Sequence, residues 1–145
     1  MLRLIWIFVV MLLFSFSAFS QNSTETTYNS SGQKTGTIKT ESSGNKTYYD
    51  SNGQKQGTTR VNNDTETHYN KNGQKDGTTR IDNSGNKAYY DSNGQKQGTT
   101  RVSNGTETHY DKNGQKTGTT KVDAGGNKTH YDKNGRKIGT TKASR

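Results

Sequence analysis

The chain has 145 residues, 23% of them hydrophobic and 23% charged, with 21 Lys and Arg against 12 Asp and Glu for a formal net charge of +9. It contains no Cys and no Pro, which excludes a disulfide framework, a thiol nucleophile and a cysteine-borne lipid anchor. Every Leu, Phe, Met and Trp lies between Met1 and Phe19, so the rest of the chain cannot build an ordinary apolar core.

In chain order the first element is an export signal. Arg3 supplies a positive start, Leu4 to Phe14 an apolar run, and Ala18-Phe19-Ser20 small residues at the two positions a signal peptidase reads, which predicts a signal peptide over residues 1–20 cleaved after Ser20. Read instead as an uncleaved membrane anchor, the run falls just short of the ~18 apolar residues that span a bilayer. Export leads to a soluble product, secreted, periplasmic or at the cell surface.

Residues 21–145 read as a single repeat domain. Aligning on Tyr28, Tyr49, Tyr69, Tyr90, Tyr110 and Tyr131 gives six units of 20–21 residues, paired into a 41-residue unit that occurs three times; self-similarity of this kind marks a repeat architecture. Odd units enter through Thr-Glu-Thr-x-Tyr and even ones through Gly-Asn-Lys-x-x-Tyr. Each continues through Asn-Gly, Gln-Lys and Gly-Thr-Thr-Lys/Arg to an aliphatic residue such as Val61, Ile81, Val102 or Val122.

Asn-Gly between β-prone runs is a strong hairpin signal, since both residues tolerate positive φ. Turns are expected at Gly53, Gly73, Gly94, Gly114 and Gly135, with Ser31-Gly32 as a degenerate first copy; an Asp or Asn two residues earlier caps each one. A second turn cluster follows each Thr-Thr strand, as at Asp82 to Gly85. About twelve strands and no helix result, and the absence of Pro agrees with this. The expected fold is all-β: a tandem β-hairpin array, an elongated meander or solenoid-like sheet. Partial disorder is the alternative, because low hydrophobicity with high net charge is its signature.

Alternation along the strands, with a three-residue turn, puts Thr106, Thr108, Tyr110, Lys116, Gly118, Thr120 and Val122 on one mildly apolar face. Glu107, His109, Thr117, Thr119 and Lys121 fall on a hydrated one. The Tyr ring of each unit is then expected to pack over the bare backbone of Gly36, Gly57, Gly77, Gly98, Gly118 or Gly139.

Tyr131-Asp132-Lys133-Asn134-Gly135-Arg136 resembles the Tyr-Asp-x-x-Gly-Arg motif of the Rhs or YD-repeat family. The resemblance covers all six units, although the other copies carry Gln in place of Arg, and Lys follows where that family usually has Leu. It implies strung β-hairpins; the chain is too short and polar for that family's toxin-enclosing shell. In composition the chain is also similar to curli-type amyloid subunits, which makes self-association into an extracellular fibril the alternative function. Identical stacking would, however, align Lys55, Lys75, Lys96, Lys116 and Lys137 in one column of like charge.

No enzyme is expected: each polar residue recurs along the chain, whereas catalysis needs perturbed groups concentrated in one pocket. His68, His109 and His130 read as exposed strand residues, short of the three or four ligands a metal needs. Asp91 to Gly94 opens like a calcium loop, yet no Glu closes it at the twelfth position. No cofactor and no small-molecule substrate are inferred. The basic surplus is more specific, since Lys39, Arg60, Arg80, Arg101, Lys121 and Lys142, with Lys55, Lys75, Lys96, Lys116 and Lys137, recur once per unit as ladders. Such ladders suit a structural or binding module contacting anionic polysaccharide or another extracellular polyanion. Their ordinary role is a solubilising face.

Overall fold

The computed structural model describes residues 22–144; the expected signal peptide and its cleavage point lie outside them. Twelve strands follow one another without a helix: β1 (Ser23–Asn29), β2 (Lys34–Thr40), β3 (Lys46–Asp50), β4 (Lys55–Asn62), β5 (Thr65–Asn70) and β6 (Lys75–Ile81), then β7 (Lys87–Asp91), β8 (Lys96–Ser103), β9 (Thr106–Asp111), β10 (Lys116–Val122), β11 (Lys128–Asp132) and β12 (Lys137–Ser144). Each pairs antiparallel with its neighbours in sequence, as a meander does. The open array expected from the sequence is nevertheless corrected: β1 also pairs with β12, from Thr24 opposite Ser144 to Asn29 opposite Gly139, and the sheet closes into a barrel. Closure leaves no edge strand for another chain to extend.

The Asn-Gly turns all lie between an odd strand and the next even one, hence at one end of the barrel. At Asp50 to Gln54 the Gly53 amide donates to the Asp50 carbonyl at 3.1 Å and the Asp50 amide to the Gln54 carbonyl at 3.0 Å. Only Gly53 has positive φ, at 81°, so this is a three-residue loop ending in a left-handed Gly. The expected caps are present, the Asp50 carboxylate accepting from the amides of Asn52 and Gln54 at 2.9 Å each. At the other end, three-residue loops closed by the same pair of bonds, such as Asn83 to Gly85 between Asp82 and Asn86, alternate with two-residue turns at Asn63-Asp64 and Asn104-Gly105. That alternation produces the 21/20 spacing.

What bends the sheet is a β-bulge after the first residue of every even strand. In β10 the register runs Lys116 opposite Tyr110, then Gly118 opposite His109, leaving Thr117 unpaired; the same shift recurs in the other five hairpins. Bulges and strand glycines are the devices that curve a sheet toward closure. The glycine serves the neighbouring backbone rather than a tyrosine ring: a Cβ on Gly57 would lie 2.5 Å from the Tyr69 carbonyl oxygen, and one on Gly98 would strike that of Tyr110.

The extra residue also reverses the expected faces, because a one-residue slip moves a strand's side chains to the opposite side. Thr119 is opposite Thr108 and Thr120 opposite Glu107. Glu107, His109, Gly118, Thr120 and Val122 therefore share the inner wall, while Thr106, Thr108, Tyr110, Lys116, Thr119 and Lys121 share the outer one. Among the described residues no hydrophobic side chain is buried; the inaccessible side chains are Thr59, Thr79, Thr100, Thr120 and Thr141. None of the described buried side-chain polar atoms lacks a hydrogen-bond partner, which is how a polar interior avoids a desolvation penalty.

Candidate functional site

The outer wall is built from the ladder residues. Tyr28, Tyr49, Tyr69, Tyr90, Tyr110 and Tyr131 project outward, each under a cation from the adjoining even strand. Arg60 lies 5.3 Å from the Tyr69 ring centroid, Arg80 5.2 Å from Tyr90 and Arg101 5.5 Å from Tyr110. Lys39, Lys121 and Lys142 cover Tyr49, Tyr131 and Tyr28 in the same way. The Lys142 contact crosses the β1–β12 seam, so the belt is continuous around the barrel.

On its other side each Tyr is in register with the first Lys of the following strand: Tyr49 with Lys55, Tyr69 with Lys75, Tyr90 with Lys96, Tyr110 with Lys116 and Tyr131 with Lys137. All eleven ladder cations are exposed, and Lys34 occupies the same position beside Tyr28. The structure thus brings the two ladders together on one face as a ring of tyrosines edged by cations.

The carboxylates lie elsewhere. Glu66, Glu107 and Glu25 face inward and pair with Lys46, Lys87 and Lys128 at 3.0, 3.7 and 3.0 Å. Asp50, Asp82, Asp91, Asp111, Asp123 and Asp132 bind turn amides. The Lys46 ammonium shows how these inner pairs work: burial pulls its pKa down, but the hydrogen bond and charge of Glu66 outweigh it and hold the pKa above the ordinary lysine value. The Gly-Asn-Lys motif and the Thr-Glu-Thr motif, read in the sequence only as strand entries, therefore supply a threefold set of inner ion pairs.

The histidines are corrected from exposed to half-buried. With Tyr48 and Tyr89 they occupy the inward position just before the belt Tyr; each histidine lies between two threonine hydroxyls, and each of these tyrosines meets one. His68 Nδ1 is 2.8 Å from Thr59 Oγ1 and its Nε2 is 2.7 Å from Thr79 Oγ1. From Tyr89 the contacts run through Thr100, His109, Thr120 and His130 to Thr141, at 2.8–3.0 Å. Burial lowers the pKa of all three histidines, with Glu66 opposing it at His68, Glu107 opposing it at His109, and Lys128 reinforcing it at His130. Each His therefore favours its neutral form, accepting from one hydroxyl and donating to the next. A position filled by Tyr, His, Tyr, His and His in the second to sixth units was the sequence signal for these inner hydrogen-bond chains.

Among the described residues no group of three or more His, Asp or Glu is arranged to hold a metal ion. No described helix is long and apolar enough to cross a membrane. The outer wall, with its threonines and cations, does not offer the apolar band of a membrane-spanning barrel. No protein-family model matches the chain, and no curated protein matches it.

Proposed function

We propose that this barrel is an exported, non-enzymatic binding module, in the periplasm, at the cell surface or outside the cell, that takes an anionic polymer on its outer wall. The observation that carries this reading is the separation of charge between the walls: the ladder cations stand exposed around the circumference, while nine of the twelve acids, three Glu and six Asp, are paired inside or tied into turns. A polymer following the belt meets equivalent cations on every second strand, and linked weak contacts of this kind add up by avidity. Fibril assembly is the weaker reading, because the edges of β1 and β12 are occupied by each other and offer no start for strand addition.

The test is binding of the mature chain, residues 21–145, to alginate across a salt series, with neutral dextran as control. Affinity should fall steeply with salt, and the slope should shrink in the Arg60→Gln, Arg80→Gln, Arg101→Gln triple variant, because the slope counts the charges neutralised. Absence of binding at low salt, or equal binding to dextran, removes the reading. Export is checked separately by N-terminal sequencing of the secreted protein, which should begin at Gln21.

A further inference from the structure

The belt is not uniform. The outward position two residues before each belt Tyr is Thr26, Thr47, Thr67, Thr108 and Thr129 in five units but Ala88 in the fourth. Ala88 lies in register with Arg80 on β6 and Thr99 on β8. At this site the wall carries a cavity of about 600 Å³, lined by these three residues together with Arg101, Lys96 and Lys112.

Apart from the inward-facing Lys87, four cations and two carboxylates line the cavity, leaving a net charge of +2. The carboxylates are already engaged: Asp82 accepts from the amides of Ser84 and Asn86, and Asp111 from those of Asn113 and Gln115. Lys87, the fifth cation, is held by Glu107. Arg80 and Arg101 each rest on a tyrosine, at 5.2 and 5.5 Å from the ring centroids, which favours this placement before any ligand arrives. Guanidinium groups held in this way match a carboxylate bidentately. Asn113 and Thr99 also line the site, adding an amide and a hydroxyl suited to sugar hydroxyls. Both neighbouring tyrosine rings are covered by guanidinium groups, so the cavity offers no bare aromatic face on which a nucleic-acid base could stack.

We infer that the Ala88 cavity is the primary seat for one uronate sugar unit of an acidic polysaccharide, with the rest of the belt tracking the polymer that continues from it. The inference rests on the polyanion reading and sharpens it: a single copy carries Ala where the other five carry Thr, and that Ala lines a cavity together with two arginines. A volume of this order is within the ~300–1,000 Å³ range of small-ligand sites.

The test compares the mature wild-type chain with Ala88→Thr, which restores the residue found in the other five units and so preserves folding and charge. The ligands are trigalacturonate, long polygalacturonate and neutral maltotriose, each titrated calorimetrically. Wild type should bind trigalacturonate in preference to maltotriose. Ala88→Thr should weaken the trimer by about tenfold, the value of one lost hydrogen bond to a charged group, while low-salt binding of the long polymer, which the whole belt carries, weakens by less than that. Equal trimer affinity in the two proteins overturns the seat, as does a wild type that binds polymer but not trimer or that takes maltotriose equally well; the belt survives the first two results. Failure of wild type to bind the polymer at all removes the belt reading and the seat with it.

Discussion

The two walls of the barrel are made from the same twelve strands and differ only in which alternate side chains they receive, yet they solve opposite problems. The inner wall removes charge and polarity from water and therefore matches every group: Lys46 with Glu66, Lys128 with Glu25, and each histidine between two threonines. The outer wall keeps its cations exposed and gives them tyrosine rings instead of carboxylates. The comparison teaches that a fold without a buried apolar side chain can be specified by hydrogen bonding and closure, each net bond contributing only ~0.5–1.5 kcal/mol. It also separates the residues that hold the barrel from those free to bind. Mutations inward or at the closing seam should cost stability, and outward ones chiefly affinity.

The largest effect is expected from opening the ring. A chain ending at Arg136 lacks β12, so β1 and β11 become bare edges and Tyr28 loses Lys142. Loss of more than about 5 kcal/mol, the scale of a whole small domain's stability, is expected, together with self-association through the exposed edges. Circular dichroism melts and light scattering measure both. A monomeric, cooperatively melting product at the wild-type temperature would mean that closure does not hold the inner wall together. A chain cut back to two units likewise cannot act as a shorter ladder, because it cannot close.

Next in size are the strand glycines. Gly98→Ala drives a Cβ into the Tyr110 carbonyl oxygen, whereas Gly94→Ala meets nothing within 4 Å and suffers only from a φ of 82°. Urea unfolding should show a loss of about 3 kcal/mol for the first, the upper range for overpacking, and about 1 kcal/mol for the second, the cost of a left-handed residue. Equal losses would mean that the bulge does not set the approach of neighbouring strands.

Those glycines mark how far the sequence could be read. The 41-residue period, the Asn-Gly turns and their Asp caps are local signals, and the strands follow from them. Gly118 was equally visible, but its meaning depends on the backbone of β11 across the next turn, which no local pattern reports. Missing the bulge at Thr117 grouped Gly118, Thr120 and Val122 with Tyr110 on one mildly apolar face, whereas they share the inner wall with His109, which was read as exposed. Closure was hidden for a related reason: it requires β1 to meet β12 at a separation of more than a hundred residues, and nothing in β1 distinguishes that partner from any other even strand. The ladder cations were legible because a once-per-unit charge remains on one face whichever face it is. The Ala88 cavity was not, since it depends on the size of a cleft between strands.

The inner histidines give a smaller effect and a defined sign. Burial depresses the folded-state pKa of His68, His109 and His130 from the ordinary value of 6.5, so the unfolded chain binds more protons at mildly acid pH. Stability is then complete above about pH 6.5 and declines as pH falls toward the folded-state values, levelling off below them. Asp76 and Glu66 moderate the effect at His68, and Lys46 adds to it. Thermal melts between about pH 7.5 and 5 lie above the carboxylate range and within the histidine one. Replacing all three histidines by Tyr, the residue at the equivalent positions Tyr48 and Tyr89, should flatten the profile. A wild-type melting temperature that does not move over this interval would remove the histidines from the stability of the inner wall.

The smallest effect on folding is expected where the effect on binding is large. In the Arg60→Gln, Arg80→Gln, Arg101→Gln variant, three exposed guanidinium groups leave tyrosine rings at 5.2–5.5 Å, and exposed cation–π pairs are worth only about 0.5–1 kcal/mol each. Part of that loss is returned, because removing three like charges from one wall relieves repulsion among the remaining cations. The net change should be below about 1.5 kcal/mol, visible as a small shift in the urea midpoint with an unchanged slope. Alginate affinity at low salt should meanwhile fall by more than an order of magnitude as three polymer contacts are lost. If the variant instead unfolds with a loss like that of Gly98→Ala, the belt is part of the scaffold, and the division of labour between the walls fails at its outer half.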